Sequence, residues 1–177
     1  MSSSEGNHNP NQEKPCEFKD NLSILRETYF FSSLPLEVLK ILAYLCVREN
    51  FKAENYLFRQ GEDDGQAIAI ISGTAALYHQ HKDKDLFIKQ YMAGSFLGGL
   101  SLTAKMQRLF SLKAESDLTA LILTREKFNT AMRQFEAHFP RILNSLVQQI
   151  THWEERALHY SFEHCETVSK EMGVSLL

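Results

Sequence analysis

Residues 61–73 read GEDDGQAIAIISG. An acidic run between Gly61 and Gly65 leads into four consecutive apolar residues, Ala67, Ile68, Ala69 and Ile70, and Gly73 closes the stretch. A short apolar run bounded by glycines is a buried strand, and Gly61 and Gly73 are turn positions where a positive φ is tolerated. The same pattern extends outward: VRENFKA (47–53), NYLFRQ (55–60), TAALYH (74–79), LFIKQYM (86–92), RLFSLKAE (108–115) and LTALILT (118–124) are short apolar or alternating runs separated by polar turns. Many short strands at near-regular spacing predict a sandwich or jelly roll.

Helical spacing flanks this block. Apolar residues recur at helical intervals over 22–30 and 35–47, with Ser33 as candidate N-cap and Pro35 just after it, and REKFNTAMRQF (125–135) follows Thr124 as a cap. A longer helix is predicted from Phe139 to about residue 168, with Pro140 where a missing N–H does little harm. The fold class is therefore α+β: an antiparallel β-roll, a double-stranded jelly-roll-like barrel, with short N-terminal helices and a long C-terminal helix. Three segments are expected: a disordered polar tail over 1–20, the β-roll with its flanking helices over 21–137, and the long helix with its tail over 138–177.

Along the last helix Phe139, Ile142, Leu146, Ile150, Trp153, Ala157 and Tyr160 form an apolar stripe. The first half suits packing on the chain's own barrel. The second half reaches past one barrel, so Ile142, Leu146, Ile150 and Trp153 are candidate contacts of a homodimer.

The 177 residues, 44% hydrophobic and 23% charged, suit one soluble core, and no apolar run approaches the roughly 20 residues that span a bilayer. A formal net charge of −3 argues against a nucleic-acid footprint. Cys16, Cys46 and Cys165 are odd in number and far apart, which supports neither a disulfide framework nor a metal site and points to a reducing cytoplasm.

The stretch 94–114 reads GSFLGGLSLTAKMQRLFSLKA. Arg108 stands in an apolar neighbourhood, where a guanidinium needs an anion or an internal carboxylate, or must reach solvent; Glu115 and Asp117 are the candidate internal partners. Together with the 61–73 glycines, the positions of Leu97, Gly98, Ser101, Leu102, Arg108, Leu112 and Ala114 resemble the phosphate-binding cassette of the cyclic-nucleotide-binding domains found in catabolite activators and protein kinase regulatory subunits. The resemblance covers about residues 20–160, although Asp64 occupies a position that is small in the family. It implies that Gly98, Gly99, Leu100, Ser101, Arg108 and Leu109 line a ligand site, with Arg108 and backbone N–H groups facing a cyclic phosphate. The cassette also departs from the family. Gly99 stands where a glutamate accepts from the ribose 2′-OH, Leu109 replaces a small residue beside the phosphate, and Phe110 replaces an alanine.

The resemblance implies a stand-alone, non-catalytic sensor module, its ligand a cyclic nucleotide (cAMP or cGMP) or another small anion. Signalling would run through the C-terminal helix to a dimer or a separate effector protein. A ligand-free β-roll serving dimerisation or adaptor roles is the alternative. After the long helix only CETVSKEMGVSLL (165–177) remains, so neither direct DNA binding nor membrane contact is expected. A third reading, a cupin-like metalloenzyme, rests on His79 and His81, which share a strand face. It lacks the glutamate and the second motif a cupin needs, and nucleophile-elbow, HExxH and P-loop motifs are absent. No cofactor or metal is expected.

Overall fold

The computed structural model of the chain describes residues 10–82 and 84–164. In chain order these form α1 (Pro10–Glu27), a 3-10 turn (Tyr29–Phe31), α2 (Leu36–Leu45), β1 (Val47–Phe51), β2 (Tyr56–Phe58), β3 (Gln66–Ser72), β4 (Thr74–His81), β5 (Lys84–Met92), β6 (Phe96–Leu97), α3 (Gly99–Thr103), β7 (Ser111–Ala114), β8 (Leu118–Thr124), α4 (Arg125–Gln134), a second 3-10 turn (Glu136–His138) and α5 (Phe139–His164). The strands make two antiparallel sheets, ordered β1-β8-β3-β6 and β2-β7-β4-β5. This is the expected α+β class with its antiparallel roll.

The AIAI run shows why the sheets stack as they do. Side chains alternate along a strand, so Ile68 and Ile70 enter the core between the sheets with Leu77, Leu112 and Ile122. Ala67 and Ala69 face the other way, into a helical cluster of Phe30, Phe31, Leu42, Phe128 and Ile142. Small residues let the helices approach and large ones fill the gap between sheets. Register fixes this arrangement, with Ile68 opposite Ile122 and Ala69 opposite Leu121. By contrast β5 is an edge strand and exposed along nearly all of its length.

The two signature glycines differ in their surroundings. Gly61 (φ +85°) has open space where a Cβ would stand, whereas a Cβ at Gly73 (φ +86°) would lie 2.4 Å from the Asp117 carbonyl oxygen and 2.8 Å from Leu118 Cα. Gly61→Ala should lose about 1–2 kcal/mol, the strain of a left-handed L-residue. Gly73→Ala adds overlap with fixed backbone, and its loss should be greater by about 1 kcal/mol. Thermal melts of both variants measure the difference; equal losses would show that the β3–β4 turn yields freely.

Three expectations change. The polar tail ends earlier than residue 20, because α1 begins at Pro10; Phe18 packs on the helical core, and Arg48 Nε donates to Asn21 Oδ1 at 2.9 Å. Residues 1–9 and 165–177 of the expected tails lie outside the described residues. Pro35, not Ser33, precedes the first residue of α2, and Ser33 instead tethers α5, its carbonyl accepting from Arg141 Nη1 at 2.9 Å. Finally, Ile142 and Leu146 are not free for a dimer: they are 0% and 8% exposed and belong to the chain's own core. The helix turns Leu143, Val147 and Trp153 outward instead. Thr124 does cap α4, accepting from the Lys127 N–H at 3.4 Å.

Candidate functional site

The 61–65 loop and the 97–108 segment, separate in sequence, form one structure. The Gly61 N–H donates to the Arg108 carbonyl and the Arg108 N–H to the Glu62 carbonyl, each at 2.8 Å. Strand β6 places the cassette by pairing with β3, Leu97 opposite Ile68. Gly98 then turns the chain with φ +83°. A Cβ there would come within 2.5 Å of the Gln66 carbonyl oxygen and 2.7 Å of Arg108 Nη1, so only glycine permits this approach.

The turn feeds α3, in which Ser101 and Leu102 are buried and Leu100 faces outward. The Ser101 N–H donates to the Gly98 carbonyl at 3.0 Å, and the Ser101 carbonyl accepts from Arg125 Nε at 2.6 Å. Arg125 also pairs with Asp63, clamping the start of α4 to the acidic loop. That hydrogen-bonded pairing holds the Asp63 carboxyl below the usual carboxylate range and raises the Arg125 guanidinium.

Arg108 is 7% exposed and already has a carboxylate. Its Nε donates to Asp64 Oδ1 and its Nη2 to Asp64 Oδ2, both at 3.0 Å, and Nη2 also reaches the Gln66 carbonyl at 2.5 Å. The guanidinium lies over the Phe58 ring, 4.1 Å from its centroid. Neither carboxylate expected from sequence plays this part. Asp117 pairs with Lys52 at 2.8 Å, and Glu115 accepts from Gln90 at 2.6 Å. Asp64, the residue that departs from the first signature, supplies the counterion.

Gly99 has a steric reason as well. A Cβ on it would lie 2.8 Å from the Phe30 ring and 3.2 Å from that of Phe96. Phe30 is fully buried, with ring centroids 4.8 Å from Phe31 and 5.6 Å from Phe96. The N-terminal segment thus occupies the space into which a longer side chain would grow.

Between these parts lies a cavity of about 390 Å³. The cassette residues Gly98, Gly99, Leu100, Ser101, Arg108 and Leu109 line it together, with Phe58, Leu77, Tyr91, Met106 and Phe110 as further walls and Gln149 from α5. Leu109 stands at the rim, 67% exposed, and leaves the interior open. Asp63, Asp64, Arg125, Phe30 and Gln149 were missed in sequence; two adjacent aspartates between glycines were the available signal for the first two. Outside the cavity, Leu100 borders a second hollow with Leu146, Gln149, Ile150 and Trp153.

The two histidines of the metal reading stack at 6.4 Å, and His79 Nδ1 lies 3.2 Å from the Leu109 carbonyl. Among the described residues no three His, Cys, Asp or Glu side chains gather as a metal site, and no helix is long and apolar enough to cross a membrane. Burial pushes the Cys46 thiol up to about 12, against the pull of Lys127, which disables it as a nucleophile at neutral pH.

Fold and cavity together define a β-roll domain with a cassette-lined hollow. The model of the cyclic nucleotide-binding domain matches residues 48–135, and this segment belongs to that family. Among solved structures, a cyclic nucleotide-binding-like protein from Brucella abortus is 28% identical at a TM-score of 0.60, covering 64% of this chain and 98% of its own. The regulatory domain of Toxoplasma gondii PKA with cAMP is 18% identical at 0.62, covering 75% and 52%. The regulatory subunit of a cAMP-independent protein kinase A from Trypanosoma cruzi, bound to guanosine, is 18% identical at 0.59, covering 67% and 42%. The last two likenesses speak to fold alone. No curated protein matches the chain significantly.

Proposed function

We propose that the protein is a non-catalytic regulatory module of the cytoplasm, in which a small molecule in the cassette cavity sets the position of α5. The observation that carries this reading is a shared wall: Gln149 of α5 lines the same cavity as Arg108 and Ser101. Leu100, one residue before Ser101, lines a second hollow together with Ile150 and Trp153 of α5. A ligand that moves α3 would reshape two hollows that α5 also walls, a population shift driven by its differential contacts with two positions of one helix. Cyclic nucleotides are the first ligands to try, given a cAMP-bound relative; nucleosides follow, given a guanosine-bound one. The outward Leu143, Val147 and Trp153 offer α5 a homodimer or effector contact.

Trp153 is the one tryptophan of the chain and reports on this helix. Titration with cAMP, cGMP, adenosine and guanosine should give a saturable change in its fluorescence with at least one of them. Leu100→Glu should abolish that change while calorimetry still detects the ligand. A bound ligand that leaves Trp153 and the hydrogen exchange of residues 139–156 unaltered would sink the reading. The alternative adaptor role draws support from Arg108, which is satisfied by Asp64 without a ligand; ligand binding of any kind would remove it.

A further inference from the structure

We infer that the cassette cavity is a site for an uncharged, mainly apolar ring compound carrying a hydrogen-bonding group, and that Asp64 is the residue that turns it against anions. The inference rests on the cavity's being the ligand site proposed above. Its ground is the state of Arg108. Nε and Nη2 of the guanidinium are taken by Asp64 Oδ1 and Oδ2, Nη2 also donates to the Gln66 carbonyl, and one face is covered by Phe58. Among the described residues Nη1 alone is left, so that no two nitrogens remain to grip a phosphate in a bidentate way. The Asp64 side chain is itself only 15% exposed, so water screens the pair weakly.

An anion entering this cavity would give up its hydration and meet a pair of zero net charge, with a carboxylate behind the cation. That desolvation is not offset. To win the guanidinium it must expel Asp64, leaving a second anion short of its partner. Discrimination by a charge placed against the wrong ligand is a recognised route to specificity.

The remaining lining suits a neutral guest. Phe58, Leu77, Tyr91, Phe96, Met106 and Phe110 present apolar and aromatic walls. One polar group, closed to solvent, belongs to the same lining. Ser101 is 1% exposed, lines the cavity, and its hydroxyl oxygen has no hydrogen-bond partner among the described residues. A buried hydroxyl left unpaired loses free energy that a ligand's hydroxyl, carbonyl or amine would recover. Arg108 Nη1, lying against Gly98, faces the same turn and suits a neutral acceptor.

A pair of probes that share one ring system tests this. N-phenyl-1-naphthylamine is neutral, and 8-anilino-1-naphthalenesulfonate is the same anilinonaphthalene with a sulfonate; both brighten in apolar sites. The full chain should bind the neutral probe at least tenfold more tightly, and Gln149→Trp, which fills the mouth from α5, should abolish its binding. Asp64→Asn should lower the neutral-to-sulfonate affinity ratio at least tenfold, and Asp64→Asn with Arg108→Gln should restore it. Should Asp64→Asn fail to fold, the wild-type ratio and the double variant still decide. Equal or tighter binding of the sulfonate by wild type, an unchanged ratio in Asp64→Asn, or neutral binding that survives Gln149→Trp overturns the inference. Displacement of the neutral probe by cAMP at lower concentration than by adenosine overturns it too, yet leaves the sensor reading standing. That reading falls separately, if bound ligands leave Trp153 silent.

Discussion

Gly99→Glu, which places in the cassette the carboxylate that the resemblance implies for this position, is expected to damage the fold and to gain no cyclic-nucleotide affinity. The reason is the 2.8 Å between the position of a Gly99 Cβ and the Phe30 ring. Phe30 is fully buried within a cluster that includes Phe31, Phe96 and Phe128. Its ring cannot step aside without pushing another ring. Overpacking of this kind typically costs about 1–3 kcal/mol, and expelling a large apolar side chain forfeits a further ~1.5–3 kcal/mol. A loss of about 3–5 kcal/mol follows. In a chain of this size each kcal/mol lowers Tm by roughly 2–4 °C, so a thermal melt should fall by on the order of 10 °C.

The cycle with Phe30→Ala tests the cause. Phe30→Ala alone leaves a cavity and should lose about 3–5 kcal/mol. In the double variant the new side chain occupies part of that space, and the combined loss should be smaller than the sum of the two. Strict additivity would show that Gly99 and Phe30 do not compete for the same volume. A stable Gly99→Glu protein that binds cAMP would show that the missing carboxylate was the whole of the defect.

That steric relation marks the limit of what the sequence discloses. Strands came through wherever a run was long enough to show its period, as in AIAI (67–70) and LTALILT (118–124), because burial on one or two faces writes itself into alternation or continuity. Strand β6 has two residues and α3 five, too few for any period, so only the glycines around them betray the turn. Pairings across the fold were less visible still. Glu115 and Asp117 are near Arg108 in sequence, but strand direction carries them to Gln90 and Lys52, while Asp64, 44 positions away, is brought alongside by the backbone pairing of Gly61 and Glu62 with Arg108. On α5 the stripe was legible, and its division was not. Ile142 and Leu146 are covered by the chain's own core, whereas Trp153 remains 54% exposed. A helical period reveals a face without saying which body lies against it.

Asp64→Ala should be among the most destabilising single substitutions in the chain, by about 3–5 kcal/mol, since it strands a buried guanidinium without its counterion. Arg108 would retain the Gln66 carbonyl and the Phe58 face. Neither neutralises a full charge. With 7% and 15% of the two side chains exposed, solvent can replace little of what the carboxylate provides. Arg108→Met leaves the Asp64 carboxylate with the Gln66 N–H at 3.3 Å as its remaining hydrogen-bond donor, and it forfeits the packing against Phe58. Removing both charges, Asp64→Leu with Arg108→Met, should recover most of the loss, since a buried pair is often worth no more than apolar side chains of similar volume. Urea melts of the four proteins give the coupling energy from the midpoints and slopes. A coupling of about 2 kcal/mol or more would establish that Asp64 is the standing counterion of the cassette, so that any anionic ligand must compete with it for Arg108. A coupling below about 0.5 kcal/mol is the behaviour of a hydrated surface pair. In that case Arg108 is available to a phosphate after all, and selectivity has to be sought in the apolar walls alone.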